Sequence, residues 1–144
     1  MKNLDNNLQI RPYVQNDYTS VIELYKEGDL FEKDFDTKNA LERKIERDPE
    51  SILVAVRNNE IVGTISIMED GKLAFIFRLV VKKSLRRQGI GTQLIAAAEK
   101  ILKQRGNPTV NIIVNEKDVD LQGYYEQLNY KKGRVWRWMW KEIN

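Results

Sequence analysis

The sequence predicts an α/β fold: a single-domain mixed β-sheet, with an antiparallel N-terminal meander and a parallel central pair, flanked by about four helices. Three observations predict it. β-Forming runs between Ile52 and Val81 are joined by tight-turn signals. A strand, helix, strand succession follows from Leu73 to Val114. The length, 144 residues, suits one core, so the expectation is one domain over residues 1–144.

The elements are justified in order. Gln9 to Tyr13 reads as a short strand. Asn16 or Asp17 caps an amphipathic helix carrying Val21, Ile22, Leu24 and Tyr25, and Gly28 breaks it. Leu30 to Asp36 is a loop; Thr37 caps a second helix, with Ala40, Leu41 and Ile45 on one face, which Asp48-Pro49 ends near Arg47. Ile52–Arg57 and Ile61–Met68 are strands joined by Asn58-Asn59. Asp70-Gly71 turns the chain into Leu73–Val81, apolar almost throughout, as a strand covered on both faces would be. Gly89 to Gln104 is helical, with Ile90, Leu94, Ile95, Ala98, Ile101 and Leu102 on one face, and Gly106-Asn107-Pro108 stops it. Thr109–Val114 is the strand expected to pair in parallel with Leu73–Val81 through a right-handed crossover. Asp118 caps a helix to Leu128, and Tyr130 to Lys141 holds one or two closing strands.

Composition removes whole classes of chemistry. The chain has no Cys and no His, so thiol nucleophiles, thiolate or imidazole metal sites and His-based triads are excluded. Proton transfer has to come from Asp, Glu, Tyr, Lys, main chain or water, and no metal is implied. Net charge is +3, too mild to indicate nucleic-acid binding. Its distribution is uneven: Glu27 to Glu50 holds nine acids against five bases, and Tyr130 to Lys141 five bases and no acid. No run approaches the roughly 20 apolar residues that span a bilayer. Met1 to Leu8 is Asn-rich and lacks the apolar centre of a signal peptide, so a cytoplasmic location without a membrane partner is expected.

The chemistry concentrates in Val81-Lys82-Lys83-Ser84-Leu85-Arg86-Arg87-Gln88-Gly89-Ile90-Gly91-Thr92. A buried strand leaves through a basic loop and enters a long helix at Gly-x-Gly. The opening turn of a helix offers main-chain N–H groups and partial positive charge, and glycines let a ligand come close; this suits a phosphate or pyrophosphate. A dinucleotide fingerprint would require Gly where Leu94 stands, and a P-loop would require Gly-Lys-Ser/Thr. The pattern Arg/Gln-x-x-Gly-x-Gly arises by chance in roughly one chain of this length in fifteen, so its context of strand and amphipathic helix decides its weight.

In that context, Arg86-Arg87-Gln88-Gly89-Ile90-Gly91 resembles the signature segment of the GNAT N-acetyltransferase superfamily. Asp70-Gly71, Leu79-Val80-Val81 and Tyr124-Tyr125-Glu126-Gln127-Leu128-Asn129-Tyr130 extend the likeness, as does the element order over nearly the whole chain. Within that superfamily the sequence resembles small bacterial members of the YpeA type. The resemblance implies acetyl-CoA binding: main chain at Arg86, Arg87, Gln88, Gly89, Ile90, Gly91 and Thr92 around the pyrophosphate, and Leu79, Val80 and Val81 along the pantetheine. It implies Tyr125 as the general acid, although the same side chain also reads as an aromatic anchor of its helix. Asp118 stands where many relatives have Asn, at a contact to the pantetheine arm, and Asn129 stands where they have Gly.

No general base is assigned: Glu32, Asp34, Glu69 and Asp70 are candidates that sequence cannot place. Glu32 and Asp34 lie in the acidic stretch that matches the family's substrate-facing region, which hints at a cationic amine acceptor. Trp136, Trp138 and Trp140 alternate, so in a strand they share one face. A packed sheet face, a homodimer interface, a wall of the acceptor pocket and a base-stacking surface all fit them. The expectation is therefore an acetyl-CoA-dependent N-acetyltransferase acting on a primary amine within a ternary complex. The alternatives are a non-catalytic acyl-CoA sensor and, disfavoured by the charge, a nucleic-acid-binding domain.

Overall fold

A computed structural model describes residues 7–143; the Asn-rich opening segment, residues 1–6, lies outside the described residues. The backbone forms two compact units, Met1–Ile112 and Ile113–Asn144. Among the described residues no helix is long and apolar enough to cross a membrane.

The first unit holds a four-stranded antiparallel sheet in the order β1-β2-β3-β4. Its strands are β1 (Leu8–Pro12), β2 (Ile52–Arg57), β3 (Glu60–Glu69) and β4 (Ala74–Val81). Local signals place the turns. Asn58 and Asn59 take φ of 51° and 61°, the left-handed pair that a two-residue hairpin needs. At the next turn Asp70 Oδ1 accepts the Lys72 and Leu73 amides at 2.9 and 2.7 Å.

Helices cover both faces. On one lie α1 (Tyr18–Glu27) and α2 (Lys38–Arg47), which bury Val21, Ile22, Leu24, Tyr25 and Leu41 with Ile52, Val54 and Val80. On the other lies α3 (Ile90–Gln104), with Ile90, Leu94, Ile95, Ala98 and Leu102 buried. Gly63 sets how close α3 comes: a Cβ there would stand 3.0 Å from Leu94 and 3.2 Å from the Val80 carbonyl. Thr37 caps α2 as expected, its hydroxyl accepting the Ala40 amide at 3.1 Å.

Several expectations are corrected. Asp17 precedes α1, but its carboxylate turns away from the helix to Arg11, at 2.7 and 3.0 Å, and to the Val14 amide. Gly28 ends α1 as expected, at a negative φ of −86°, and a Cβ there would lie 3.0 Å from the Val80 side chain. The parallel pair is reduced to one bridge, Phe75 with Asn111. Its bonds run from the Ile76 amide to the Asn111 carbonyl (3.0 Å) and from the Asn111 amide to the Ala74 carbonyl (2.9 Å). Residues 112–114 carry no strand.

In the second unit α4 (Val119–Gln127) forms as expected, and Asn129 follows it at φ 70°, the left-handed conformation that Asn tolerates. The closing strands expected at Tyr130–Lys141 do not form, and Trp136, Trp138 and Trp140 are exposed. β-Propensity marks where a strand fits, but a strand exists only where a partner completes its ladder.

A charge network gathers the far end of the first unit. Arg105 grips Asp48 through two bonds of 2.6 and 2.9 Å and reaches Glu50 at 3.1 Å and Glu69 at 3.2 Å. It joins the ends of α2, β3 and α3. The guanidinium, with smaller help from the Glu50 amide and Lys44, holds the Asp48 carboxyl below its ordinary value of 3.8 despite partial burial. A depressed carboxylate stabilises the fold above its unfolded pKa and loses that contribution as pH falls through the folded value. Arg105→Gln is therefore expected to cost roughly 1–3 kcal/mol near neutrality. In chemical denaturation at stepped pH, the gap from wild type closes as pH drops below about 4.

Candidate functional site

The site begins where β4 leaves the sheet. β4 is an outer strand, and among the described residues its outer edge carries, past the single bridge at Phe75, no further strand of that sheet. It is also bulged. Ser66 stands opposite Phe77 and Thr64 opposite Val80, so β4 carries one extra residue. Arg78 occupies the bulge at φ 54°. The strand therefore turns at its middle, just before Leu79-Val80-Val81. Val80 is buried in the α1–α2 core and its carbonyl lies toward β3, 3.2 Å from where a Cβ on Gly63 would stand, whereas Leu79 and Val81 are half-buried.

Past Val81 the chain is pinned and then opened. The Lys82 amide bonds the Val62 carbonyl at 2.8 Å, and Lys82 pairs with Glu60, which raises its ammonium pKa. Glu27, at the end of α1, accepts the Lys83 amide. Glu27, Lys82, Lys83 and Ser84 line a surface hollow of about 500 Å³. A short 3-10 turn, Lys83–Leu85, leads to Arg86, whose Nε donates to the Val81 carbonyl at 3.2 Å.

Two left-handed residues shape the entry to α3: Arg87 at φ 64° and Gly89, the N-cap, at φ 84°. Gln93 bonds back to the Gly89 carbonyl at 3.0 Å and closes the first helical turn. A Cβ on Gly89 would meet nothing within 4 Å, so the space before the helix is open to a ligand. Arg86, Arg87, Gln88 and Thr92 are exposed around it, Gly89 and Gly91 half-buried. Gln88 also accepts from Arg57 at 3.2 Å. Ile90 belongs to the core, as does Val80. The sequence-predicted segment Leu79–Thr92 thus lies wholly in the first unit, with Val80 and Ile90 in the core and Arg86, Arg87, Gln88 and Thr92 exposed.

Glu32 and Asp34 lie exposed on the loop between α1 and α2, in the same unit. The other two candidate bases are engaged elsewhere. Glu69 accepts Asn107 at 3.0 Å, the Gly71 amide at 2.6 Å and Arg105, which hold its carboxyl low in that order. The Leu73 and Lys72 amides do the same for Asp70. Both are fixed as anions in the turn before β4.

Asp118 and Tyr125 belong to the second unit. Asp118 caps α4, accepting the Leu121 amide at 3.1 Å. Its role in the fold is therefore local, and Asp is among the residue types that a helix start favours. Tyr125 is the buried residue of α4, with Tyr124 and Tyr130 packed edge-on at 5.4 and 5.5 Å. Burial, with a smaller effect of Tyr124, pushes its phenol up to about 12, so it keeps its proton across the neutral range.

What the sequence reading missed is Asp36, buried beside Arg78 at 2.8 Å. The available signal was Arg78 itself, a lone charge within Ala74–Val81.

Residues 14–130 match the sequence model of the Acetyltransferase (GNAT) family. An acetyltransferase of Pectobacterium atrosepticum is 36% identical over 124 residues, covering 86% of this chain and 88% of that protein. Among solved structures, Ard1 from Thermoplasma volcanium superposes with a TM-score of 0.78 at 19% identity, covering 89% of this chain and 85% of its own. The PaiA N-acetyltransferase of Thermoplasma acidophilum, solved in complex with coenzyme A, gives a TM-score of 0.73 at 21% identity, with 84% and 87% covered.

Proposed function

We propose that this chain, which belongs to the GNAT acetyltransferase family, is a single domain over residues 1–144 that moves acetyl from acetyl-CoA to a primary amine by direct attack in a ternary complex. The observation that carries the reading is the opening of α3. A basic loop, two left-handed residues and a helix N-terminus surround space that a Cβ on Gly89 would enter. A pyrophosphate fits that cradle, with Arg86 and Arg87 as counter-charge and the helix dipole behind them. The edge of β4 at Leu79–Val81 accepts an extended amide chain such as pantetheine in the way an added strand would be accepted.

The chemistry follows from what the residues hold. An amine with a pKa near 10.4 is almost wholly protonated at neutral pH, so a proton has to leave it before its lone pair attacks the thioester carbon. Water, or a carboxylate of the α1–α2 loop, takes that proton. As the C–S bond breaks, Tyr125 is assigned the transfer of its phenolic proton to the departing thiolate. Its burial keeps it in the acid form. Glu32 and Asp34 are assigned to attract a cationic acceptor, and Asp118 to the pantetheine side.

Calorimetry with acetyl-CoA tests the cradle. Gly89→Ala adds a Cβ at a left-handed position, costing the free protein roughly 1–2 kcal/mol. Its acetyl-CoA affinity is expected to fall at least tenfold, beyond what the lower Tm accounts for; equal affinity would remove α3 from the site. In a thiol-release assay over an amine panel, Tyr125→Phe is expected to lower kcat about 100-fold, with acetyl-CoA affinity within twofold of wild type. Full turnover in that variant would take Tyr125 out of the mechanism. If acetyl-CoA binds and no amine releases thiol, the sensor reading replaces the enzyme. The double variant Glu32→Gln, Asp34→Asn is expected to raise the acceptor KM severalfold at unchanged acetyl-CoA affinity, and an unmoved KM counts against their assignment.

A further inference from the structure

The proposed chemistry makes no use of the one charged side chain in β4. Arg78 sits in the left-handed region at φ 54°, a conformation glycine takes freely and other residues take at a cost. A glycine would serve the bulge better unless the arginine side chain were itself needed.

That side chain is held from several directions. Nη1 donates to Asp36 Oδ2 at 2.8 Å and to the Leu30 carbonyl at 2.7 Å. The guanidinium carbon lies 5.1 Å from the Tyr25 ring centroid and 5.4 Å from that of Phe35. Asp36 is only 4% exposed, and the same Oδ2 accepts the Glu32 amide at 2.8 Å. The Asp36 carbonyl accepts the Tyr18 hydroxyl at 2.8 Å and its amide bonds the Glu32 carbonyl at 2.8 Å. One carboxylate therefore folds the 32–36 turn onto itself and onto β4. A buried ion pair adds little stability beyond what apolar packing of the same volume would give. What it does supply is a single relative position for a strand and a loop more than 40 residues away in sequence.

We propose that Arg78 is a positioning residue: by clasping Asp36 and the Leu30 carbonyl it fixes both the bulge that aims the Leu79–Val81 main chain and the loop that presents Glu32 and Asp34. This rests on the function proposed above, in which the thioester arm lies along the first and the amine approaches the second. One side chain then sets the geometry of both reactants.

The test uses the full chain and the variants Arg78→Gly, Arg78→Lys and Asp36→Asn. Arg78→Gly is the informative one, because glycine relieves the backbone strain while removing the clasp. Amide hydrogen exchange is measured on the free protein, with residues 95–102 of α3 as the reference for global folding, and acetyl-CoA affinity is measured by calorimetry. Arg78→Gly is expected to speed exchange at least tenfold in both 30–37 and 78–82, to leave the reference unchanged and to weaken acetyl-CoA at least tenfold. Asp36→Asn gives at least a threefold change of each kind, and Arg78→Lys falls between wild type and glycine. Faster exchange in only one segment, or acetyl-CoA affinity within twofold of wild type for Arg78→Gly, overturns the proposal. If Arg78→Gly also loosens the reference helix, Asp36→Asn decides by its threefold criterion. Wild-type protein that binds no acetyl-CoA overturns the functional reading instead, since the exchange signature of the clasp is read without ligand.

Discussion

The structure depends on β4 meeting two demands at once. Its buried residues, Ala74, Ile76 and Val80, fix it between the helical layers. Its outer edge and its exit into α3 are where the proposed function needs main-chain donors and acceptors left open to a ligand. The bulge reconciles the two. One extra residue lets Phe77 and Val80 stand opposite Ser66 and Thr64 while the strand changes direction between them. Gly28 and Gly63 let α1 and α3 close on the strand from either side, and each of them lacks room for a Cβ beside Val80 or its carbonyl. The glycine at the mouth of α3 behaves in the opposite way: a Cβ on Gly89 would enter empty space.

Charges in the first unit divide by what surrounds them. Arg105 and its three carboxylates lock the end of the sheet where β3 turns toward β4. Asp17 and Arg11 do the same before α1. Lys44 is turned inward, donating to the Ile67 carbonyl at 2.8 Å with Phe77 below it at 5.0 Å, and burial lowers its pKa. Such groups have partners and hold the frame. Arg86 and Arg87 lie exposed beside the start of α3, where the proposed function uses them as counter-charge for an anion.

Much of this was legible because the signals are local. Asn58-Asn59, Asp70-Gly71, Thr37 and Asp118 each act within three residues, through left-handed φ or a side-chain oxygen reaching a nearby amide. The helical faces of α1 and α3 follow from period alone, and the residues read as apolar are buried except Ile101, which is half-buried. Legibility failed where an outcome needed a partner. Thr109–Val114 has the composition of a strand, yet only Asn111 pairs; Tyr130–Lys141 alternates well and forms no ladder. Gly28 was correctly placed at a helix end, but the side chain that would crowd a Cβ there comes from β4, and no local signal shows that contact.

By itself the sequence determined which segments are helix and strand as far as Gln104, where they turn, and that a basic Gly-x-Gly opens the third helix. These are properties of neighbours along the chain, and short-range sterics and hydrogen bonding decide them. Only the tertiary structure decided that β4 is an edge, that its bulge falls at Arg78, and that Asp36 is the carboxylate meeting it. Arg78 and Asp36 are 42 residues apart, and no periodicity or turn rule spans that distance. Their pairing exists because α1 packs on the sheet and carries the following loop back over β4, where a buried carboxylate requires a cation and the half-buried Arg78 guanidinium supplies it.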